Sequence, residues 1–201
     1  MLTRIFIAIL LVPGSAAAAN ELKTRVLFDF SETEGGRRWR TVNDGVMGGR
    51  SDGRFRFAEN GTMEFFGTLS LENNGGFASV RSQARRLGLQ EGDALVTRVR
   101  GDGRRYTLNL YVPTRRMAFS YRVGFQSKKD EWVELRVPLK DFAATSFGRV
   151  VNNAGPVNPQ QVSSIGFLLG DKKAGPFKLE IDWIKAEAVR ASNSKQAVGS
   201  L

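Results

Sequence analysis

The sequence predicts an all-β protein, an antiparallel β-sandwich in one domain. Three observations carry that reading. Short runs alternate apolar and polar residues with the period of two that a half-buried strand requires, and Gly, Asn, Asp and Pro clusters separate them. No stretch sustains a helical apolar repeat. The 201 residues, 41% of them hydrophobic, suffice for one core without a second domain.

The first strand is expected at Arg25–Phe30, with Val26, Phe28 and Phe30 on one face. Ser31–Gly36 turns into Arg38–Val42. Arg54–Phe57 alternates Phe55 and Phe57 with arginines, and Asn60-Gly61 is a hairpin turn because both residues tolerate positive φ. Thr62–Leu71 and Phe77–Ser82 follow, then a polar connection over Gln83–Asp93. Ala94–Arg100, Arg105–Val112, Met117–Phe125 and Glu131–Val137 are successive strands, with Val133, Leu135 and Val137 inward. Residues 143–161 form the least regular stretch and are expected as a long surface loop. Val162–Leu169 and Phe177–Trp183 close the set, the last with Phe177, Leu179, Ile181 and Trp183 on one face.

The ends are expected to lie outside this domain. Residues 1–19 have the form of a secretory signal: Arg4, the apolar Ile5–Val12 and the small residues Ser15–Ala19. That reading places the mature domain at 20–189, a flexible tail at 190–201, and the protein in the periplasm or outside the cell. Pro13 and Gly14 interrupt a stretch already shorter than a membrane span.

The chain carries a net charge of +10 and no cysteine or histidine. The basic residues are dispersed, and no nucleic-acid-binding motif accompanies them. Without histidine, Ser-His-Asp and Cys-His catalysis are excluded, as are histidine-ligated zinc sites. Gly49-Arg50-Ser51-Asp52-Gly53 matches G-x-S-x-G literally. The match is accidental, because the serine of that elbow needs a histidine to take its proton. Paired carboxylates could in principle serve glycoside hydrolysis, with Asp44, Asp52, Asp102 and Glu131 as candidates. Asp44 and Asp52 are also oxygen donors of the kind calcium takes, but no EF-hand spacing surrounds them and both suit turns. No catalytic residue, metal site or cofactor is therefore assigned.

The most informative stretch is Trp39–Gly53, WRTVNDGVMGGRSDG. Its glycines imply a sharply folded backbone, and Trp39, Val42, Val46 and Met47 distinguish it from a linker. Two readings stand side by side. Asp44, Gly45, Met47, Gly48, Gly49 and Ser51 either offer backbone N–H groups to a ligand or fold the loop on itself, with Asp44 accepting those N–H groups and Met47 plugging the end of the sandwich. A second candidate face combines Arg81, Asp102, Arg104 and Trp132 with Trp39, Arg98, Tyr106 and Tyr111, aromatic surfaces and guanidinium forks suited to sugars or acidic groups. Tyr106 shares its phase with Leu108 and Leu110 and belongs equally well to the core.

Several segments occur together in order: Asn43–Ser51, Phe66–Ser70, Gly75–Arg81, Arg100–Tyr106, Trp132–Pro138, and Gly166-Phe167 followed by Asp171–Phe177. Over about Leu27 to Ile184 the chain thereby resembles the complex I intermediate-associated protein 30 family. The resemblance implies a galactose-binding-domain-like jelly roll. It also implies an assembly-factor-like role, since the mitochondrial member chaperones intermediates of NADH:ubiquinone oxidoreductase. The expected function is thus a non-catalytic module acting on a protein partner at a membrane, with no nucleic acid and no span in the mature chain. The alternative is an exported carbohydrate-binding module that recognises a glycan.

Overall fold

The computed structural model describes residues 23–31, 38–113 and 119–188. The expected signal at 1–19, the tail at 190–201 and most of the turn over 31–36 lie outside them.

Thirteen strands form two facing antiparallel sheets among the described residues. They are β1 (Thr24–Asp29), β2 (Trp39–Thr41), β3 (Asp52–Phe57), β4 (Met63–Leu69), β5 (Ala78–Ser82), β6 (Asp93–Gly101), β7 (Arg105–Tyr111), β8 (Ser120–Gln126), β9 (Trp132–Pro138), β10 (Ala143–Ser146), β11 (Arg149–Val150), β12 (Ser164–Leu169) and β13 (Gly175–Ala188). One sheet runs β3-β4-β13-β6-β9, with β1 also paired to β13; the other runs β11-β10-β8-β7-β12-β5-β2. This is the jelly-roll sandwich.

The core lies between the sheets. From one side come Met63, Phe65, Leu69, Leu95, Val99, Leu179, Ile181 and Ile184, and from the other Val80, Tyr106, Leu108, Leu110, Ile165, Phe167 and Leu169. Phe65 packs edge-on against Phe177 at 4.9 Å between centroids, and Phe125 bridges Tyr106 and Phe167. Each such side chain contributes about 1.5–3 kcal/mol by leaving water, so the alternation written into the strands is also what holds them together.

Two strands carry a register shift that inverts their alternation. In β13 the pairing with β6 shifts between Ile181 and Trp183. The extra residue, Asp182, inverts the side-chain phase. Ile184 and Ala186 therefore fill the core, while Trp183 turns to the rim with Lys185 Nζ 3.8 Å above its ring. A matching irregularity between Val26 and Phe28 of β1 leaves Val26 59% exposed and buries both Leu27 and Phe28. The expected loop at 143–161 is partly regular. It contains β10, β11 and a 3-10 turn at Pro159–Gln161, and the Tyr121 hydroxyl donates to Ala154 O and Pro156 O.

Candidate functional site

The Gly-rich stretch leaves β2, makes one 3-10 turn over Asp44–Met47 and enters β3. The turn folds around the Asp44 carboxylate, which is wholly buried. Oδ1 accepts the Ser51 amide at 2.9 Å. Oδ2 accepts the Ser51 hydroxyl at 2.6 Å, the Gly76 amide at 2.6 Å and the Phe77 amide at 3.3 Å. Burial pushes this carboxyl up, but the four donors outweigh burial and hold it below the ordinary carboxylate range. The backbone continues the same network: the Asp44 amide donates to Phe77 O, and the Gly49 amide donates to Asp44 O.

The carboxylate also dictates where glycine is needed. A Cβ on Gly49 would lie 2.4 Å from Asp44 Cγ, and one on Gly75 would lie 2.5 Å from Asp44 Oδ2. Gly48 ends the turn at φ +87°, a left-handed conformation. Gly45 has open space and no such constraint. Asn43 Nδ2 closes the far side on Gly53 O at 2.9 Å, and Asn73 Nδ2 reaches Gly48 O at 3.1 Å.

Met47 does not plug the sandwich. It is 54% exposed and its neighbour Val46 is 74% exposed, because the four-residue turn directs its C-terminal half away from the core. Leu71, 45% exposed, belongs to the adjoining segment that Arg50–Glu72 and Asn73–Gly48 hold against the turn. The loop therefore spends its polar groups inward and shows apolar side chains outward.

The other sequence candidates do not join it. Asp102 Oδ2 accepts the Tyr106 hydroxyl at 3.0 Å and the Lys178 amide at 2.9 Å, and its Oδ1 accepts the Arg104 amide at 2.9 Å. Burial first, then the Asp102 charge, drives the Tyr106 phenol far up. Arg104 makes a two-pronged pair with Asp171, Nε–Oδ2 3.0 Å and Nη2–Oδ1 2.6 Å, and donates to the carbonyls of Lys173, Gly175 and Pro176. Trp132 is covered by Arg98 and Arg100, whose guanidinium carbons lie 4.8 and 4.9 Å from its ring centre. Asp52 is turned to Arg54, and Glu131 to Lys128. The candidate carboxylates are thus engaged separately, not opposed across a cleft.

Arg81 is different. Its guanidinium lies over the Tyr111 ring at 4.4 Å, and its Nε is buried without a hydrogen-bond partner. Arg40 stands opposite it on β2, and Arg122 is placed on the same outward face through β12, β7 and β8. Arg40, Asn109 and Arg122 escaped sequence reasoning because only strand register brings them into one row. Gly75 and Gly76 belong to the Asp44 network, and only the doubled glycine hinted at it.

Residues 28–181 match the model of the complex I intermediate-associated protein 30 (CIA30) family. A mouse relative, "Complex I intermediate-associated protein 30, mitochondrial", is 31% identical over 81% of this chain and 56% of its own length. The Drosophila melanogaster protein of the same name is 27% identical over 82% of this chain and 63% of its own. The match therefore spans little more than half of these relatives. Among solved structures, a family 11 carbohydrate-binding module from Clostridium thermocellum, in complex with a mixed-linked tetrasaccharide, superposes with a TM-score of 0.60 at 15% identity, over 83% of this chain and 96% of the module. That likeness concerns the fold alone.

The relatives overturn the expectation of export. Those from mouse, fly and Neurospora crassa are named mitochondrial proteins. The physical reason for the misreading is that residues 1–20 carry one basic residue, Arg4, and no acidic residue, and a positive, acid-free stretch does not by itself separate a secretory leader from a mitochondrial one.

Proposed function

Because the chain belongs to the complex I intermediate-associated protein 30 family, we propose that it is a non-catalytic binding module that holds a protein partner through the apolar tip of the Asp44 turn. The partner class is an intermediate of the membrane complex that its relatives are named for, and the setting is the mitochondrion of those names. One observation carries this reading: Val46 and Met47 are exposed on a turn whose buried carboxylate binds four donors. A pre-ordered turn loses little entropy on docking, and exposed methionine adapts to an apolar partner surface. Gly49, Gly75 and Ser51 shape the turn, Gly48 ends it, and Met47 with Val46 makes the contact. The engagement of Asp102, Arg104 and Glu131 in structural pairs also supports a role without catalysis.

The test is chemical cross-linking and capture of the full chain from mitochondrial membranes, with a Val46→Ser/Met47→Gln double variant beside it. The expected outcome is recovery of NADH:ubiquinone oxidoreductase subunits with the parent chain and at least about a tenfold loss with the variant, as removal of a docking hot spot implies, at unchanged melting temperature. Equal recovery with both chains overturns the proposal, as does reproducible recovery of no membrane-complex subunit.

A further inference from the structure

The two sheets treat their outward-facing arginines in opposite ways. On the six-stranded sheet the cations are paired in a ladder: Arg98–Asp182 at 2.6 Å, Arg100–Glu180 at 2.6 Å, Lys178–Glu64 at 2.8 Å and Arg136–Glu187 at 3.0 Å, with Arg56 also on Glu64. On the seven-stranded sheet Arg40, Arg81 and Arg122 have no acidic partner among the described residues.

Register places these three in one row. Arg40 lies directly opposite Arg81, Arg81 opposite Gly166, Gly166 opposite Asn109, and Asn109 opposite Arg122. Strands are spaced at about 4.8 Å, so Arg81 and Arg122 start roughly 14 Å apart, within reach of two long side chains that converge over the two strands between them, β12 and β7. Of these β7 carries Tyr111 two residues beyond Asn109, on the same face. Arg81 stacks on Tyr111, and burial first, then the charges of Arg81, Arg122 and Arg40, act on its phenol. Gly166 keeps the floor open, since a Cβ there would come within 2.5 Å of Val80 O and 2.9 Å of Arg81 Cβ. Asn109 beneath is wholly buried and makes only long contacts, 3.4 Å to Thr107 O and 3.5 Å from the Ser120 hydroxyl.

For a protein left to itself this arrangement is unfavourable. Like charges directly opposite one another across a strand pair destabilise it. The Arg122 guanidinium is desolvated, which together with Arg81 lowers its affinity for its own proton, and the Arg81 Nε is left buried without an acceptor. All three conditions are relieved by a bound anion.

We propose that Arg40, Arg81 and Arg122, over the Gly166–Asn109 floor and beside Tyr111, form a binding site for a phosphate monoester. Three uncompensated cations exceed what a single carboxylate neutralises, whereas a phosphate monoester carries about −1.5 to −2 charge at neutral pH and offers three acceptor oxygens. Guanidinium forks match those oxygens two at a time. The site lies on the face of the sheet, formed by residues other than those of the Asp44 turn, and does not depend on the partner reading above.

The test is thermal melting of the full chain in glycerol 3-phosphate against glycerol at matched ionic strength, for the parent and for Arg40→Gln and Arg81→Gln. At ten times its dissociation constant the ligand is expected to raise the melting temperature of the parent by about 3–6 °C. The rise is expected to vanish in both variants. Without ligand, Arg81→Gln is expected to melt at or above the parent, since it removes a repelled charge. Arg40 is exposed, so its variant folds and keeps the test open. Sedimentation with phosphatidylcholine vesicles, plain or containing phosphatidic acid, separates the two sources. Retention on phosphatidic acid by the parent and not by Arg40→Gln identifies a lipid headgroup. A melting shift without vesicle retention identifies a soluble phosphate ester. No response to either ligand overturns the site, as does a response that persists in Arg40→Gln and Arg81→Gln or is matched by malonate at equal ionic strength.

Discussion

The Ser51 hydroxyl donates to Asp44 Oδ2 at 2.6 Å and accepts the Ser70 amide at 3.0 Å. One small side chain thus ties the buried carboxylate of the turn to the segment leaving β4. Replacing Asp44 by Asn keeps the volume but places an NH2 group among donors and removes the charge. Charge-assisted hydrogen bonds contribute about 1.5–3 kcal/mol each, and they share one group, so a loss of about 3–4 kcal/mol is expected. Urea denaturation should show a lower midpoint at unchanged slope. Ser51→Ala should lose less, about 1–2 kcal/mol.

The glycines of the turn should separate by stability. Gly49→Ala drives a methyl into the Asp44 carboxyl group and should cost about 2–3 kcal/mol, as overpacking of a closed site does. Gly45→Ala meets open space and should change stability by less than about 0.5 kcal/mol. Calorimetric melting of the two single variants checks the contrast, and equal effects would contradict a close approach of Gly49 to the Asp44 carboxyl group.

Acid should weaken the fold through Asp44 and Asp171. At both, burial raises the carboxyl, and the hydrogen bonds they accept, joined at Asp171 by the Arg104 charge, bring it below the free value of 3.8. A folded value below the unfolded one means the contribution is complete above the unfolded value and is lost as pH falls through the folded one. Stability should therefore be flat in this respect above about pH 5 and decline below about pH 4. In Asp44→Asn the decline should be shallower, as read from denaturation midpoints across that range.

Arg104 should not tolerate lysine. The guanidinium binds both Asp171 oxygens and three backbone carbonyls, whereas an ammonium group keeps the charge and loses the fork. Arg104→Lys should cost about 2 kcal/mol, and Asp171→Asn about 3 kcal/mol because it leaves a mostly buried guanidinium unpaired. A double-mutant cycle that returned no coupling between the two positions would contradict this pairing.

Much of the sandwich was legible because a strand with one face on a core must alternate, and in β7 Tyr106, Leu108 and Leu110 take the inward positions that this period requires. The errors fell where one residue breaks that rule. Leu27 and Asp182 each shift a register, and everything beyond them changes face, so Ile184 and not Trp183 points inward. In the Asp44 turn the glycines announced a tight backbone, but composition does not say which of them faces a carboxylate. The arginine row was invisible for another reason. Its members lie about forty residues apart in the chain, and only the pairing order of β2, β5, β12, β7 and β8 makes them neighbours.

The position of β13 bears on how the protein is made. It pairs with β6 along one side and with β4 and then β1 along the other, so β1 has no mate until it is made, while β4 beside β3 and β6 beside β9 each keep one unpaired edge. Until Gly175–Ala188 is available, the edges of β4 and β6 stand open, a template for pairing with other nascent chains. Closure of the six-stranded sheet therefore waits for β13, which lies between the β3–β4 and β6–β9 pairs. The protein should depend on holdase chaperones during synthesis far more than its size alone would suggest.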